Sequence, residues 1–232
     1  MGKKPQAFWI DQFGSPEKAF TLRDLNLPET GDDEVRIEVE GFGINFADVT
    51  ARQGLYRDAP KPPFVPGYEV VGKVMDTGKN VHDLEAGVRV VAFTRFGGYS
   101  QEVLADAAGV VPISETMPLE EACSMATQYC TAWYAAEELT RIFPGDHVLI
   151  QAAAGGVGSC LVQLAKRRGA IVYGTASKPE KLKYLEELGC DYPINYMKAP
   201  FDVQVRKLLG KNKLDIVYVF VEINDVTKMA PK

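Results

Sequence analysis

The stretch His147-Val148-Leu149-Ile150-Gln151-Ala152-Ala153-Ala154-Gly155-Gly156-Val157-Gly158 is an apolar run that breaks into a glycine-rich turn. Beyond it, Leu161, Val162, Leu164 and Ala165 fall on one face of a helical pattern. Lys166, Arg167 and Arg168 then occupy the last turn and Gly169 follows, which suits the negative end of a helix dipole and a glycine C-cap. Residues 170–176 read as the next strand, so the stretch opens a βαβ unit.

Working toward the C-terminus, Ser177-Lys178-Pro179-Glu180 carries an S-x-x-E capping box with proline in the first turn, and Gly189 closes that helix. Asp191 to Ile194 predicts a short strand, Phe201, Val205, Leu208 and Leu209 a helix, and Leu214 to Val221 a nearly all-apolar strand. Strands apolar on both faces and separated by helices predict a doubly wound parallel sheet. The full Rossmann order is 3-2-1-4-5-6, and residues 147 to 221 account for its first four strands. The sheet is therefore expected to be C-terminally incomplete, with an apolar edge at Val217 to Val221 that promotes self-association.

Working toward the N-terminus, the pattern changes near residue 120. Val35, Ile37 and Val39 alternate with Arg36, Glu38 and Glu40, and Val70-Val71 and Val88 to Phe93 are short β-rich runs bounded by Gly and Pro. The α/β chain thus divides into a compact, mostly antiparallel β domain over residues 1–120 and a dinucleotide-binding domain over 121–232.

Composition excludes several classes. The 232 residues, 46% hydrophobic and 25% charged, exclude general disorder and a disulfide-stapled miniprotein. A net charge of −5 without a long basic run argues against nucleic acid as the main partner. Cys123, Cys130, Cys160 and Cys190 are mutually distant, so neither a disulfide framework nor a cysteine-rich zinc module is expected. Phe8-Trp9-Ile10 is too short for a signal peptide or membrane span, and a cytoplasmic location is the expectation.

In the dinucleotide fingerprint G-x-G-x-x-G, glycines let the backbone approach the pyrophosphate while helix N–H groups face its charge. Ala153, Gly155 and Gly158 occupy those positions, with Gly156 and Val157 between them. An acidic residue about 20 positions further on would bind the ribose 2′-hydroxyl of NAD. That place holds Ser177, and Lys178 and Lys181 follow. Hydroxyl and positive charge suit a 2′-phosphate, so NADP is the expected cofactor; an N-cap serine and an ordinary solvated lysine face account for the same residues.

Gly145-Asp146-His147-Val148-Leu149, then Ala153-Ala154-Gly155-Gly156-Val157-Gly158, Gln163 and Lys166, resemble the signature of the zinc-independent quinone oxidoreductases of the medium-chain dehydrogenase/reductase superfamily. Gly43-Ile44-Asn45-Phe46-Ala47-Asp48, Arg52-Gln53-Gly54-Leu55-Tyr56 and Pro66-Gly67-Tyr68-Glu69 are similar to that family's GroES-like catalytic domain. The wording is nearest the subgroup of homologues of the synaptic vesicle membrane protein. The resemblance implies a GroES-like domain plus a Rossmann domain, NADPH-dependent reduction of quinones or activated alkenes in a cleft between them, and a homodimer as the assembly to test.

It also implies roles. Asn45 and Asp48 would lie in a catalytic loop facing the nicotinamide, and Tyr56 at the substrate entrance. Thr131 would approach the nicotinamide ring and Tyr196 the adenosine phosphate, with Phe46 and Gly174 completing the cofactor contacts. Zinc-dependent relatives place Cys and His where this chain has Asn45 and Tyr68, so no metal is expected. His82 and His147 are isolated in sequence. Without a metal, hydride arriving at a quinone or enone leaves an oxyanion that hydrogen-bond donors must stabilise. A noncatalytic interaction protein that keeps the fold and acts on vesicles or other proteins is the rival reading.

Overall fold

The computed structural model describes residues 4–219. The chain divides into two compact units, Met1–Thr127 and Gln128–Lys232.

The first unit is mainly antiparallel sheet. Strand β1 (Gln6–Ile10), the short helix α1 (Pro16–Ala19) and β2 (Phe20–Asp24) come first, with β1 and β2 paired antiparallel. Then follow β3 (Glu34–Phe42), α2 (Phe46–Arg52), β4 (Glu69–Thr77), β5 (Arg89–Phe93), β6 (Glu102–Asp106), β7 (Val110–Pro112) and α3 (Leu119–Ser124). The last five strands form one sheet in the order β6-β3-β4-β5-β7. The alternation in β3 works as expected: Val35 and Ile37 are fully buried with Val70, Val90 and Val103, while Arg36 pairs with Glu102 at 3.2 Å. Helix α3 belongs to this unit because Ala122 buries against Val71 and Val91.

The second unit alternates strand and helix. Helix α4 (Cys130–Trp133) continues into π-helical turns at Tyr134–Thr140, followed by β8 (His147–Ile150), α5 (Gly156–Arg167), β9 (Ile171–Ala176), α6 (Pro179–Glu187), β10 (Tyr192–Asn195), α7 (Phe201–Leu209) and β11 (Ile216–Tyr218). All four strands are parallel, in the order β10-β9-β8-β11. This is the 3-2-1-4 portion of the doubly wound order. Side chains alternate across it. Val148 and Ile150 of β8 bury with Leu161, Val162 and Ala165 of α5, and Leu149 buries with Val205 and Leu209 of α7. Helices therefore cover both faces, which is why the strands are apolar throughout.

Three local expectations change. Helix α6 has Lys178, not Ser177, at its N-cap, and no side chain caps it. Pro179 takes the first helical position, where its fixed φ and missing N–H suit it, so Ser177 falls one residue too early to cap. Strand β10 begins at Tyr192 because the Asp191 carboxylate is drawn off, accepting from the Val172 N–H at 2.7 Å and from Lys166 Nζ. Strand β11 is shorter than the apolar run. Phe220 and Val221, and with them the end of the expected apolar edge, lie outside the described residues.

Candidate functional site

In the second unit the candidate site is the turn between β8 and α5. Gly155 is the N-cap of α5, and Gly155 and Gly156 are both exposed. The first N–H groups of a helix have no intrahelical partner and carry the positive end of its dipole. The turn is held from below. The Ala153 N–H donates to the Thr175 carbonyl at 3.0 Å, and the Ala152 N–H to Thr175 Oγ1 at 3.3 Å. Ala152 sits at φ 47°, a left-handed conformation uncommon for alanine. A Cβ at Gly158 would come within 2.4 Å of the Ala152 carbonyl oxygen and 2.8 Å of Ala153 Cα. Only glycine lets α5 start so close to the turn. Gly174 serves the same packing, since a Cβ there would meet Cys190 Sγ at 2.9 Å and Ala153 Cβ at 3.1 Å. Val157 is partly buried against the core. These residues fit a pyrophosphate laid on the helix N-terminus.

The adjoining strand β9 ends at Ala176, which is buried, and no carboxylate follows it directly. Ser177 is half-buried; Lys178 and Lys181 are exposed, and Lys178 Nζ lies 3.9 Å from Glu180. The Tyr196 N–H donates to the Ala176 carbonyl at 3.2 Å, which brings this exposed tyrosine to the end of β9, beside Ser177. Thr131 is exposed on α4.

In the first unit, Asn45 is the N-cap of α2 and Phe46, its first residue, is 77% exposed. Asp48 is 3% exposed, and its carboxylate accepts from the Asn45 N–H at 2.8 Å, the Gly67 N–H at 3.1 Å and the Tyr99 hydroxyl at 3.1 Å. Burial raises its pKa above the ordinary carboxylate value; the donors at Asn45, Tyr99 and Gly67 oppose this, and the charge of Glu69 adds to it. Burial, followed by Asp48, in turn holds Tyr99 far above an ordinary phenol. With both oxygens occupied, Asp48 acts as a frame for the loop. Glu69, fully buried, accepts from Asn45 Nδ2 at 3.0 Å and from the Thr127 N–H at 2.6 Å. Tyr56 is half-buried with its ring edge-on to Tyr68 at 5.8 Å.

Within each unit, then, Asn45 and Asp48 come together, and so do Ala153, Gly155, Gly156, Gly158 and Gly174. Sequence reasoning did not assign roles to Glu69, Tyr99 and Thr175. Glu69 had a signal, a carboxylate opening the otherwise apolar Val70-Val71 run; the other two are contacts across long sequence separations with none. Among the described residues, no three His, Cys, Asp or Glu side chains converge as metal ligands would. His147 instead lies 2.9 Å from the Tyr173 hydroxyl.

Residues 31–115 match the alcohol dehydrogenase GroES-like domain, and residues 156–232 match the family described as zinc-binding dehydrogenase. The chain is 37% identical over 207 residues to the human synaptic vesicle membrane protein VAT-1 homolog, covering 88% of this chain and 52% of that protein. It spans about half to two thirds of the length of the curated relatives it matches. A crystal structure of the Pseudomonas syringae quinone oxidoreductase superposes with a TM-score of 0.90 at 30% identity, over 97% of this chain and 69% of that one. The Escherichia coli quinone oxidoreductase complexed with NADPH also gives 0.90, at 28% identity, over 97% and 68%. With a parallel 3-2-1-4 sheet behind a glycine turn, and an antiparallel unit matching the GroES-like model ahead of it, the chain belongs to the zinc-independent quinone oxidoreductase branch of the medium-chain dehydrogenase/reductase superfamily.

Proposed function

We propose that this chain binds NADPH and serves in the reduction of quinones or activated alkenes without zinc. The observation that carries this reading is the turn at Ala153 to Gly158, closed so tightly that a Cβ at Gly158 would strike backbone, combined with a β9 that ends without a carboxylate. The cofactor supplies the hydride when bound. The chain's own part is to seat the pyrophosphate at the N-terminus of α5 and to present Ser177, Lys178 and Lys181 to a 2′-phosphate. Tyr196, tied to Ala176, stands at the same end of β9. On the substrate side, Asn45 is fixed by Asp48 and Glu69, and Tyr56, packed edge-on against Tyr68, is the residue that the family likeness puts at the substrate entrance. The phenol and amide groups there act as hydrogen-bond donors to a developing oxyanion, in place of a metal.

The likeness to the VAT-1 homolog at 37% identity favours a second reading, a nucleotide-binding interaction protein without turnover. NADPH consumption by the full-length protein over a small panel of quinones separates the two. Quinone-dependent oxidation, with no zinc in protein purified without a histidine tag, is the expected result. Absence of turnover across the panel, with NADPH still bound, supports the second reading.

A further inference from the structure

Within the second unit, the helical segment that starts at Gln128 and runs through α4 to Thr140 lies along α5, and three contacts align the two. At the far end, the Glu137 carboxylate accepts from Arg168 Nε at 2.9 Å and from its Nη2. Between the ends, Ala132 and Ala136 share a buried cluster with Leu161, Val162 and Ala165, and such small side chains let two helix axes approach closely. At the near end Gln128 meets Gly156, the first residue of α5. A Cβ at Gly156 would run into the Gln128 carboxamide, at Cδ, Oε1 and Nε2 alike, so glycine at 156 is what gives the amide its place. Gln128 belongs to a π-helical turn, a widened turn that recurs at functional sites. Its side chain is half-buried, yet among the described residues the carboxamide makes no hydrogen bond. A polar group sheltered in this way normally has a partner, and this one lies against the turn whose helix N–H groups also lack intrahelical acceptors.

We propose that Gln128 is a cofactor-binding residue, its Nε2 donating to a pyrophosphate oxygen of NADPH seated at the N-terminus of α5. The assignment rests on the NADPH reading of that turn and adds a side-chain donor to it. The helix N–H groups and dipole supply the complementarity to charge. The carboxamide is neutral, so it adds direction instead: a hydrogen bond to an ionised acceptor is short and strongly oriented. Helix alignment through Glu137, Ala132 and Ala136 holds the donor at Gly156 before the cofactor arrives. The contact is also separate from the 2′-phosphate, whose candidate partners Ser177, Lys178 and Lys181 follow β9. Gln128 therefore serves both dinucleotides alike and takes no part in choosing between them.

The test is calorimetric titration of the full chain with NADPH and with NADH, in wild type, Gln128→Leu and Gln128→Glu. Ligand-observed NMR adds adenosine 2′-monophosphate, which keeps the 2′-phosphate and lacks the pyrophosphate. Gln128→Leu should bind both dinucleotides about tenfold more weakly, by the same factor, with the affinity for adenosine 2′-monophosphate unchanged. Gln128→Glu, close to glutamine in shape, should weaken both further because its carboxylate faces the phosphates. Wild-type dinucleotide affinity in Gln128→Leu would overturn the proposal and leave the turn as the cofactor's seat. Loss of adenosine 2′-monophosphate binding together with the dinucleotides would show that Gln128 only supports the fold, and would overturn it too. A wild type that binds neither dinucleotide would overturn the NADPH reading and the proposal together.

Discussion

Asp48 is a carboxylate in a place where charge is costly. It is 3% exposed, and burial raises its pKa against the pull of three donors. Because the folded value lies above the unfolded one, the folded state holds this proton more tightly. The stability from Asp48 is therefore complete below the ordinary carboxylate range and is lost as pH rises through the raised folded value. Asp48→Asn removes that dependence. It also turns an amide NH₂ toward one of the two backbone donors, so it should cost about 1–3 kcal/mol through the donor left unpaired. Denaturant unfolding of both proteins across acid to neutral pH checks this; parallel stability curves would contradict it. Glu69 sits at the other end of the same network and leaves the amide of Asn45 with a fixed partner. Neither contact follows from local spacing, since Asp48 reaches Tyr99 and Gly67, and Glu69 reaches Asn45 and Thr127, only once the sheet has formed.

The β8 turn and α5 form the element that organises the second unit. Its reading from sequence was secure because the signals agreed: an apolar run, a glycine turn, a 3.6-residue apolar stripe and a terminal glycine. The stripe of Leu161, Val162, Leu164 and Ala165 is indeed the buried face of α5. Helix α6 forms where the pattern predicts it but with a different cap, because proline at its first position outweighs the serine two residues earlier. Gly158→Val tests the turn. Its side chain would be driven into the Ala152 carbonyl and Ala153 Cα, both backbone atoms that cannot swing away. Overpacking of this kind costs about 1–3 kcal/mol, and NADPH affinity should fall at least about tenfold as α5 is displaced from the pyrophosphate position. Retained affinity in a folded variant would show that the turn does not seat the cofactor.

Across the whole molecule, periodicity was enough to read the switch from antiparallel β to alternating β and α and the two helical layers, while the 3-2-1-4 order came from the doubly wound fold that this alternation implies. The site was only half readable. Its glycine half announces itself because backbone approach demands particular residues at particular spacings. Its polar half depends on contacts between distant segments, as Asp48 with Tyr99 and Glu69 with Asn45 show. The 2′-phosphate of the cofactor is the feature on which the sequence commits itself most plainly. Ser177, Lys178 and Lys181 offer a hydroxyl and two ammonium groups where NAD-specific sites place a carboxylate. Calorimetric titration of the protein with NADPH and with NADH, repeated in Lys181→Ala, therefore tests the account most directly. Charge-assisted contacts of about 1.5–3 kcal/mol predict NADPH binding at least about tenfold tighter than NADH, with the gap narrowed in the variant. Equal affinities, or an NADH preference that survives in Lys181→Ala, would contradict it.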